Sequence, residues 1–425
     1  MYKFKLVNTF KLAFRGLSRN RRRSLMTLLT IALGFAAIAL FAGYTHNIYS
    51  GMSRGAIHGE MLGHLTLSKP GMSKEGKLYP ERYLLNAEEV SKISELLRSE
   101  PHVKLVAPRL AFSGLISNGR ASTIFIAEGI EPSALQKIQE GIFTQNEARR
   151  GLYDRMLKKL DPARSEVVEL STGLAELLHI EEQGQAAMLV NTMSGQANAL
   201  DVILGGSFDT GNAGSNDKYA LVPLALAQSL YDAVGYADRL TVVLDDVAQT
   251  EPMRIRLQEK LHAAGFELEI KSWNELSSFY NQVHGMFDMI FGFIFLIVLT
   301  VVVMSVANSM GMTVIERTRE IGTLRSIGLR RSGVVRIFTM ESFLLTLFGC
   351  GTGLLITVLV RYGINVADIS YTPPNSVSPT PLLVDLDVGR IVFTFVLMGI
   401  VATLAAYLPA RRAAKKLIID ALGHI

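Results

Sequence analysis

The chain has 425 residues, of which 49% are hydrophobic and only 19% are charged. Soluble domains usually carry about a quarter charged residues, so this composition indicates a membrane protein rather than a soluble enzyme. The single cysteine, Cys350, excludes an internal disulfide framework, and the eight histidines are scattered without a His-x-x-x-His spacing. We therefore predict neither a disulfide-stapled fold nor a structural metal site.

The N-terminal region predicts a cytoplasmic amphipathic helix over residues 1–23 and a transmembrane helix over 24–45. In the first segment apolar residues share one helical face, while Lys11, Arg15 and Arg19 line another. This pattern is typical of a helix in the headgroup layer. The second segment contains no charge, and a spanning helix needs about 20 apolar residues. Its small-x-small triplet lies in the middle of the apolar run, which favours an uncleaved anchor over a cleavable signal peptide.

Residues 46–284 are long enough to form a separate domain, which we predict to be extracytoplasmic and α+β. Helical patterns at Ala87–Arg98 and Glu251–Ala264, each flanked by strand patterns, predict one β-α-β unit near either end of the segment. The section between these units, about 131–235, is rich in short strands and turns and predicts an inserted subdomain. Strands are predicted from alternating apolar residues at His64–Leu67, Leu105–Leu110, Thr123–Ala127, Ala187–Val190 and Leu240–Leu244.

A second spanning helix is predicted over 285–315. It is followed by a short polar stretch, residues 316–336, that contains six arginines and two glutamates. We call this stretch the arginine-rich segment. Helix-forming residues run from Glu320 to a break at Gly328, which predicts a rigid amphipathic stub on the cytoplasmic side that a soluble partner could grip. The alternative is that the arginines only reflect the enrichment of positive charge in cytoplasmic loops.

The third spanning helix is predicted over 337–360. Gly349 and Gly353 form a small-xxx-small pair, which allows a neighbouring helix to pack closely in lipid. Glu341 is the one acid near this apolar zone. Intramembrane acids are often functional, but an acid this close to the interface can also simply reach the headgroups, and both interpretations stay open.

A Pro-rich external loop is predicted over 361–389, a fourth spanning helix over 390–410 and a cytoplasmic tail over 411–425. The prolines keep the loop extended, either as a rim at the membrane surface or as a linker. The predicted fold is therefore a membrane protein with four transmembrane α-helices and a large α+β extracytoplasmic domain between the first and second helices.

The distribution of charge predicts the orientation in the membrane. Residues 1–23, 309–336 and 409–425 together carry 18 basic and 3 acidic residues, whereas the rest of the chain carries 25 basic and 35 acidic residues. Lysine and arginine are enriched on the cytoplasmic side. Both termini are therefore predicted to be cytoplasmic, and the large domain is predicted to be periplasmic.

Three segments of the sequence, "ERTREIGTLRSIGLRR", "FRGLSRNRRRSLMTLLTIALG" and "LPARRAAKKLIIDAL", share one family resemblance. They resemble the FtsX-like, macrolide-exporter (MacB-type) and lipoprotein-release superfamily of ABC transporter permeases. The first segment looks like the cytoplasmic loop of these permeases, and the second resembles their start. The closing "LPARRAAKKLIIDAL" resembles their usual ending, although isoleucine stands where proline is common. One large external domain between the first two spans is also typical of the family.

The resemblance implies a mechanotransmission (type VII) permease of the bacterial inner membrane, working as a dimer above two copies of a separate ATPase. ATP and Mg²⁺ would be bound by that ABC ATPase, because this chain contains no phosphate-binding G-x-x-x-x-G-K-[ST] motif. No catalytic, cofactor-binding or metal-binding residue is therefore expected here. The expected partners are the ATPase dimer, a second permease copy or paralogue, a periplasmic chaperone or adaptor, and membrane lipids; nucleic acid is not expected.

The arginine-rich segment would be the helix that couples the permease to the ATPase. Ile321 and Leu324 are expected to fill a groove of the ATPase, while Glu320 and Arg325 pair at its rim. The predicted ATPase-coupling residues are Glu316, Arg317, Arg319, Glu320, Ile321, Gly322, Leu324 and Arg325.

The sequence leaves the cargo open. The stretches "IKSWNELSSFYNQVHGMFDMI" and "SFDTGNAGSNDKYALVPLALAQSLY" look more like the lipoprotein-release branch than the macrolide branch. This favours extraction or release of lipoprotein or other amphipathic cargo. The alternatives are export of a peptide or small amphiphile with periplasmic partners, and an FtsX-like scaffold that activates cell-wall hydrolases without moving cargo.

Overall fold

The computed structural model describes residues 6–19, 21–76, 78–142, 157–210, 214–367, 369–372 and 380–415. The end of the predicted tail, most prolines of the predicted external loop and part of the predicted inserted subdomain lie outside these residues. The chain divides into two compact units. We call residues 1–49, 283–369 and 381–425 the membrane unit, and residues 50–282 and 370–380 the external unit.

The helices of the described residues, numbered in chain order, are α1 (Leu6–Arg19), α2 (Arg21–Arg54), α3 (Met72–Glu75), α4 (Pro80–Tyr83), α5 (Ala87–Arg98), α6 (Pro132–Gln139), α7 (Thr172–Leu178), α8 (Leu224–Tyr231), α9 (Thr250–Ala263), α10 (Trp273–Leu276), α11 (Ser278–Glu316), α12 (Thr318–Ser326), α13 (Arg331–Val366) and α14 (Val388–Lys415). A π-helical turn, Gly55–Gly59, extends α2. The strands are β1 (Leu65–Ser68), β2 (Val103–Ser117), β3 (Ser122–Ile130), β4 (Val167–Ser171), β5 (Gln185–Asn191), β6 (Ala197–Phe208), β7 (Tyr219–Pro223), β8 (Arg239–Leu244), β9 (Glu269–Ser272), β10 (Ser370–Tyr371) and β11 (Thr380–Pro381).

Four of these helices, α2, α11, α13 and α14, are long and apolar enough to cross a membrane. They share a core in which Phe35, Val306, Leu345 and Met398 are each at most 2% exposed. Their other faces carry many exposed Leu, Ile and Phe side chains, as expected where lipid tails replace water around the helices. The four-span architecture predicted from the charge-free stretches is confirmed.

The external unit is built on one mixed sheet with the strand order β3-β7-β4-β6-β5-β2-β8-β1-β9. Because β2 also pairs with β3, the pairings of β2 to β7 close into a ring. Apolar side chains from these strands form a core that includes Phe112, Phe125, Leu170 and Met188. Most neighbours are antiparallel, whereas β3–β7 and β4–β6 are parallel. This mixed sheet with its helices confirms the predicted α+β class.

The long strand β2 belongs to both parts of the sheet. Its stretch Val103–Arg109 pairs with β8, and its stretch Gly114–Ser117 pairs with β5. The strands β4 to β7, which come from the section predicted to be inserted, all belong to the ring. α5 and α9 pack on β8, β1 and β9 through a separate apolar core. α5 begins at its predicted position because Asn86 and Glu89 form a capping box.

Candidate functional site

The arginine-rich segment contains the short helix α12, which lies between two spanning helices in the chain. The helix ends because Gly328 adopts a left-handed conformation (φ 103°), in which a residue with a Cβ is strained. The Gly328 N–H donates to the Arg325 carbonyl at 3.1 Å. The Leu329 N–H donates to the Leu324 carbonyl at 3.0 Å, which completes a Schellman cap. The break that the sequence predicted at Gly328 is confirmed.

One face of α12 is buried within the membrane unit. Ile321 is 6% exposed and belongs to the core of the spanning helices, and Gly322 beside it is also buried. The sequence had led us to expect that the Ile321 side chain fills a groove of the ATPase. In the structure this side chain instead packs inside the chain itself and is not available to a partner. Leu324 is half-buried, whereas Ile327 at the C-cap is 79% exposed. Ile327 is therefore the apolar side chain that projects most from this segment.

Arg317, at the N-cap of α12, contacts two carboxylates. Its Nε donates to Glu320 Oε2 at 2.9 Å, and its Nη1 lies 3.3 Å from Glu341 Oε2. Its guanidinium also lies 5.7 Å from the ring centroid of Phe338, a favourable cation–π geometry. The Glu341 side chain is only 3% exposed, and a buried carboxylate needs a cationic partner. Glu341 is therefore held inside the membrane unit by Arg317 and does not extend to the headgroups.

Two further ion pairs connect the segment to the N-terminal helices. Glu320 pairs with Arg19 at the end of α1, and Glu316 accepts a hydrogen bond from Arg23 Nη1 at 3.1 Å. Both carboxylate side chains are more than a third exposed, so solvent screens the pairs and each contributes at most about 1 kcal/mol. Partial burial alone would raise the pKa of Glu320, but hydrogen bonds from Arg317 and Arg19 keep this pKa below its ordinary value.

The structure brings some of the predicted coupling residues together and leaves others apart. Arg319 is exposed, and Arg325 is half-buried on the last turn of α12. The sequence missed the partners Arg19, Arg23 and Glu341. A signal for the first two was present, because the predicted cytoplasmic stretches 1–23 and 309–336 contain only two acids among many arginines, and each acid could be expected to find an arginine from the other stretch.

Gly349 and Gly353 lie where α13 packs against α2. A Cβ built on Gly349 would lie 2.7 Å from Ile31 Cγ2, and one built on Gly353 would lie 2.6 Å from the carbonyl oxygen of Ala32. Both distances are much shorter than an ordinary van der Waals contact, so a side chain at either position would overlap with α2. The two helices can approach this closely because neither position carries a side chain.

The external unit contains a second, enclosed group of charges. Arg109 is 1% exposed, pairs with Glu128 and donates to the Met61 carbonyl. Glu128 also pairs with Arg239 and accepts a hydrogen bond from the Tyr219 hydroxyl. We call Arg109, Glu128, Tyr219 and Arg239 the buried cluster. Among the described residues, no group of three or more His, Cys, Asp or Glu side chains is arranged to hold a metal ion.

A buried lysine lies close to this cluster. Burial, together with the nearby charge of Arg109, lowers the pKa of Lys158 to about 7. Its Nζ donates to the Gly59 carbonyl at 3.1 Å, at the end of the π-helical turn. Two hydrogen bonds thus fix the backbone where the π-helical turn after α2 ends. Arg109 donates to the Met61 carbonyl, and Lys158 donates to the Gly59 carbonyl.

Two family descriptions match most of the chain. Residues 24–260 match the MacB-like periplasmic core domain, and residues 292–418 match the FtsX-like permease C-terminal domain. The chain is 23% identical, over 97% of its length, to the pyoverdine export ATP-binding/permease protein PvdT of Pseudomonas putida. It is 22% identical, again over 97% of its length, to the macrolide export ATP-binding/permease protein MacB of a Shewanella species.

The chain is shorter than these relatives and spans 59% and 60% of their respective lengths. Among solved structures, the periplasmic region of MacB from Actinobacillus actinomycetemcomitans matches 51% of this chain and 92% of its own length. The identity in that match is 13%, and the TM-score is 0.35.

Proposed function

The chain belongs to the family of FtsX-like permeases with a MacB-like periplasmic core domain, and we propose that it is the permease part of a mechanotransmission ABC transporter. In this function an ABC ATPase binds and hydrolyses ATP with Mg²⁺ at the cytoplasmic face. The chain, paired with a second permease copy or paralogue, converts that step into a conformational change of the external unit. It hydrolyses no ATP itself, in keeping with the absence of a G-x-x-x-x-G-K-[ST] motif.

Two apolar side chains of the arginine-rich segment, Ile321 and Ile327, support this proposal. Ile321 anchors the helix in the core of the spanning helices, so a force on α12 acts on that core. Ile327, which is 79% exposed, projects from the C-cap and serves as the anchor for a groove on the ATPase. Burying a side chain of this size contributes about 1.5–3 kcal/mol, more than the exposed ion pairs of the segment provide.

Replacing Ile327 tests the docking site. The variant Ile327→Asp should weaken ATPase binding by about tenfold or more, because it places a charge where the complex would bury an apolar side chain. The molar ratio of ATPase to permease after co-purification measures this loss. Val234→Asp is the matched control, since Val234 is 75% exposed but lies in the external unit. Equal recovery of the ATPase with both variants would contradict the docking site.

We propose that the cargo is amphipathic or lipid-anchored. The names of the two relatives attribute macrolide and pyoverdine export to those proteins, which supports a small amphiphile, exported with a periplasmic adaptor. The resemblance of residues 207–231 and 270–290 to the lipoprotein-release branch supports lipoprotein release to a periplasmic chaperone. Two measurements separate these classes of cargo. ATP-dependent release of lipoproteins from spheroplasts supports lipoprotein release, whereas a loss of resistance to small amphiphiles in a deletion strain supports their export.

We further propose that both termini are cytoplasmic and that the chain lies in the bacterial inner membrane. Ser207 in the external unit and Ser332 at the start of α13 are both exposed. In a Cys350→Ser background, a membrane-impermeant thiol reagent added from the periplasmic side should label the Ser207→Cys variant and spare the Ser332→Cys variant. The opposite labelling pattern would reverse the orientation.

A further inference from the structure

Gly16 of α1 lies directly on the Arg317–Glu341 ion pair. A Cβ at position 16 would lie 2.7 Å from Arg317 Nη1 and 2.8 Å from Glu341 Oε1. Phe14 of the same helix contacts Phe348 of α13 edge to face, with ring centroids 6.5 Å apart. The helices α1 and α13 and the N-cap of α12 therefore meet at one pair of opposite charges.

This ion pair differs in burial from the others in the arginine-rich segment. The side chains of Arg317 and Glu341 are 16% and 3% exposed, whereas those of Arg19 and Glu320 are 67% and 39% exposed. Little screening by salt is expected at the buried pair, and separating its partners would leave an uncompensated charge out of water. A displacement of α12 must therefore carry Glu341 with it or break this largely buried ion pair.

Arg317 makes the connection to α12 itself. Its Nε donates to Glu320, one turn into the helix, at 2.9 Å, while its Nη1 faces Glu341 on α13. Gly16 leaves just enough room for α1 to close over this arrangement. The Arg317 guanidinium thus contacts α12 and α13 and lies against α1, which is far from both in the sequence.

We infer that Gly16, Arg317 and Glu341 are positioning residues that make α1, α12 and α13 move as one body when α12 is displaced. The inference rests on the proposed function, because it requires a bound ATPase that moves α12. None of the three residues has to touch the ATPase. Their role is to pass movement from the docking helix into the membrane-spanning helices.

Two variants disturb the pair in different ways. Glu341→Gln keeps the shape of the side chain and removes its charge. Gly16→Ala keeps both charges but forces the flexible ends of the Arg317 and Glu341 side chains aside. Because alanine favours helix more than glycine does, unfolding of α1 would not explain an effect of this variant. Arg23→Gln is the control, because it removes an exposed partner of Glu316 on the same segment.

The test uses the full-length permease purified with its ATPase and reconstituted in lipid nanodiscs. The measured quantities are the ATPase-to-permease ratio, the rate of ATP hydrolysis, and the hydrogen-exchange difference of the external unit between vanadate-trapped and nucleotide-free complexes. We expect Glu341→Gln and Gly16→Ala to keep the ATPase bound and to shift the conformational equilibrium of the external unit by roughly tenfold. Arg23→Gln should behave like the wild type. The double variant that combines Gly16→Ala with Glu341→Gln should shift the hydrogen-exchange difference no further than Glu341→Gln alone does, because both changes act on one ion pair.

The outcomes separate this inference from the proposed function. If both single variants keep the ATPase bound and show an unchanged hydrogen-exchange difference, only the inference is overturned. The inference is also overturned if the effects of the two changes add in the double variant. A wild-type complex without any nucleotide-dependent exchange difference overturns the proposed function as well. Labelling of Cys350, which is 1% exposed, shows whether each membrane unit is folded, and Gly16→Ala decides the question if Glu341→Gln fails that check.

Discussion

In the external unit, the acid Glu128 is 7% exposed and has two arginines and a tyrosine hydroxyl as partners. In the membrane unit, Glu316 and Glu320 are more than a third exposed and pair with arginines from the N-terminal helices. Both groups join residues that are far apart in the sequence. They differ in what it costs to separate the partners, because one group has been removed from water and the other has not.

This difference indicates what each group does for the protein. A charge that has lost its hydration must keep its partners, since leaving it unpaired costs several kcal/mol, on the order of 3–5. The buried cluster therefore fixes one arrangement of β2, β3, β7 and β8. Exposed pairs can exchange partners with water at little cost. The exposed pairs of the arginine-rich segment therefore yield easily when the segment is displaced, whereas the buried Arg317–Glu341 pair resists separation.

The largest effect is expected from the buried cluster. Arg109→Met should lower the free energy of unfolding of the external unit by about 3–5 kcal/mol, because Glu128 keeps its burial and loses one cation. Trp273 is the only tryptophan of the sequence, is 7% exposed and lies in the external unit. Its fluorescence during a urea titration of the detergent-solubilised chain therefore reports the unfolding of this unit.

An exposed arginine of the same unit provides the control. Arg164 and Glu166 form an ion pair at 3.1 Å with side chains that are 41% and 46% exposed. Arg164→Met should leave the free energy of unfolding close to that of the wild type, because solvent screens both groups. Equal losses for Arg109→Met and Arg164→Met would show that burial does not set the difference between the two kinds of pair.

A medium effect is expected where the membrane unit depends on close packing. Gly353→Ala places a methyl group 2.6 Å from the Ala32 carbonyl, and overpacking of this kind costs about 1–3 kcal/mol. The temperature at which Cys350, the only cysteine, reacts with a thiol-specific dye measures the stability of the membrane unit. Gly363→Ala is the control on the same helix, since a Cβ built there would meet no atom within 4 Å beyond its own stretch of helix. A control that loses as much stability as Gly353→Ala would refute the packing role.

The features that the sequence predicted are those set by local rules. A bilayer demands about 20 apolar residues in a row, so the spanning helices follow from composition alone. The end of α12 follows from Gly328, because a left-handed cap favours glycine. The capping box of Asn86 and Glu89 fixes the start of α5 in the same way.

The features that the sequence could not predict depend on contacts between distant residues. Arg109 and Glu128 meet because of the register of β2 and β3, which no local pattern encodes. The orientation of α12 was also hidden, since a helix of nine residues shows an apolar face without showing whether this chain or a partner covers it. That is why Ile321 was expected to bind the ATPase and is instead buried within the membrane unit.

The smallest effect is expected from the exposed pair between Arg23 and Glu316. Arg23→Gln should lower the stability of the membrane unit by at most about 1 kcal/mol, because water already solvates both groups and holding two long side chains together costs entropy. The Cys350 labelling temperature is the measurement, and raising the salt concentration should shrink the difference from wild type further, since ions screen exposed charges within about 10 Å. The Glu341→Gln variant, measured alongside, should show a larger and less salt-dependent loss because its pair is almost fully buried. A salt-insensitive loss of the same size in both variants would mean that the Arg23–Glu316 pair is as rigid as the Arg317–Glu341 pair, and that the segment has no freely displaceable part.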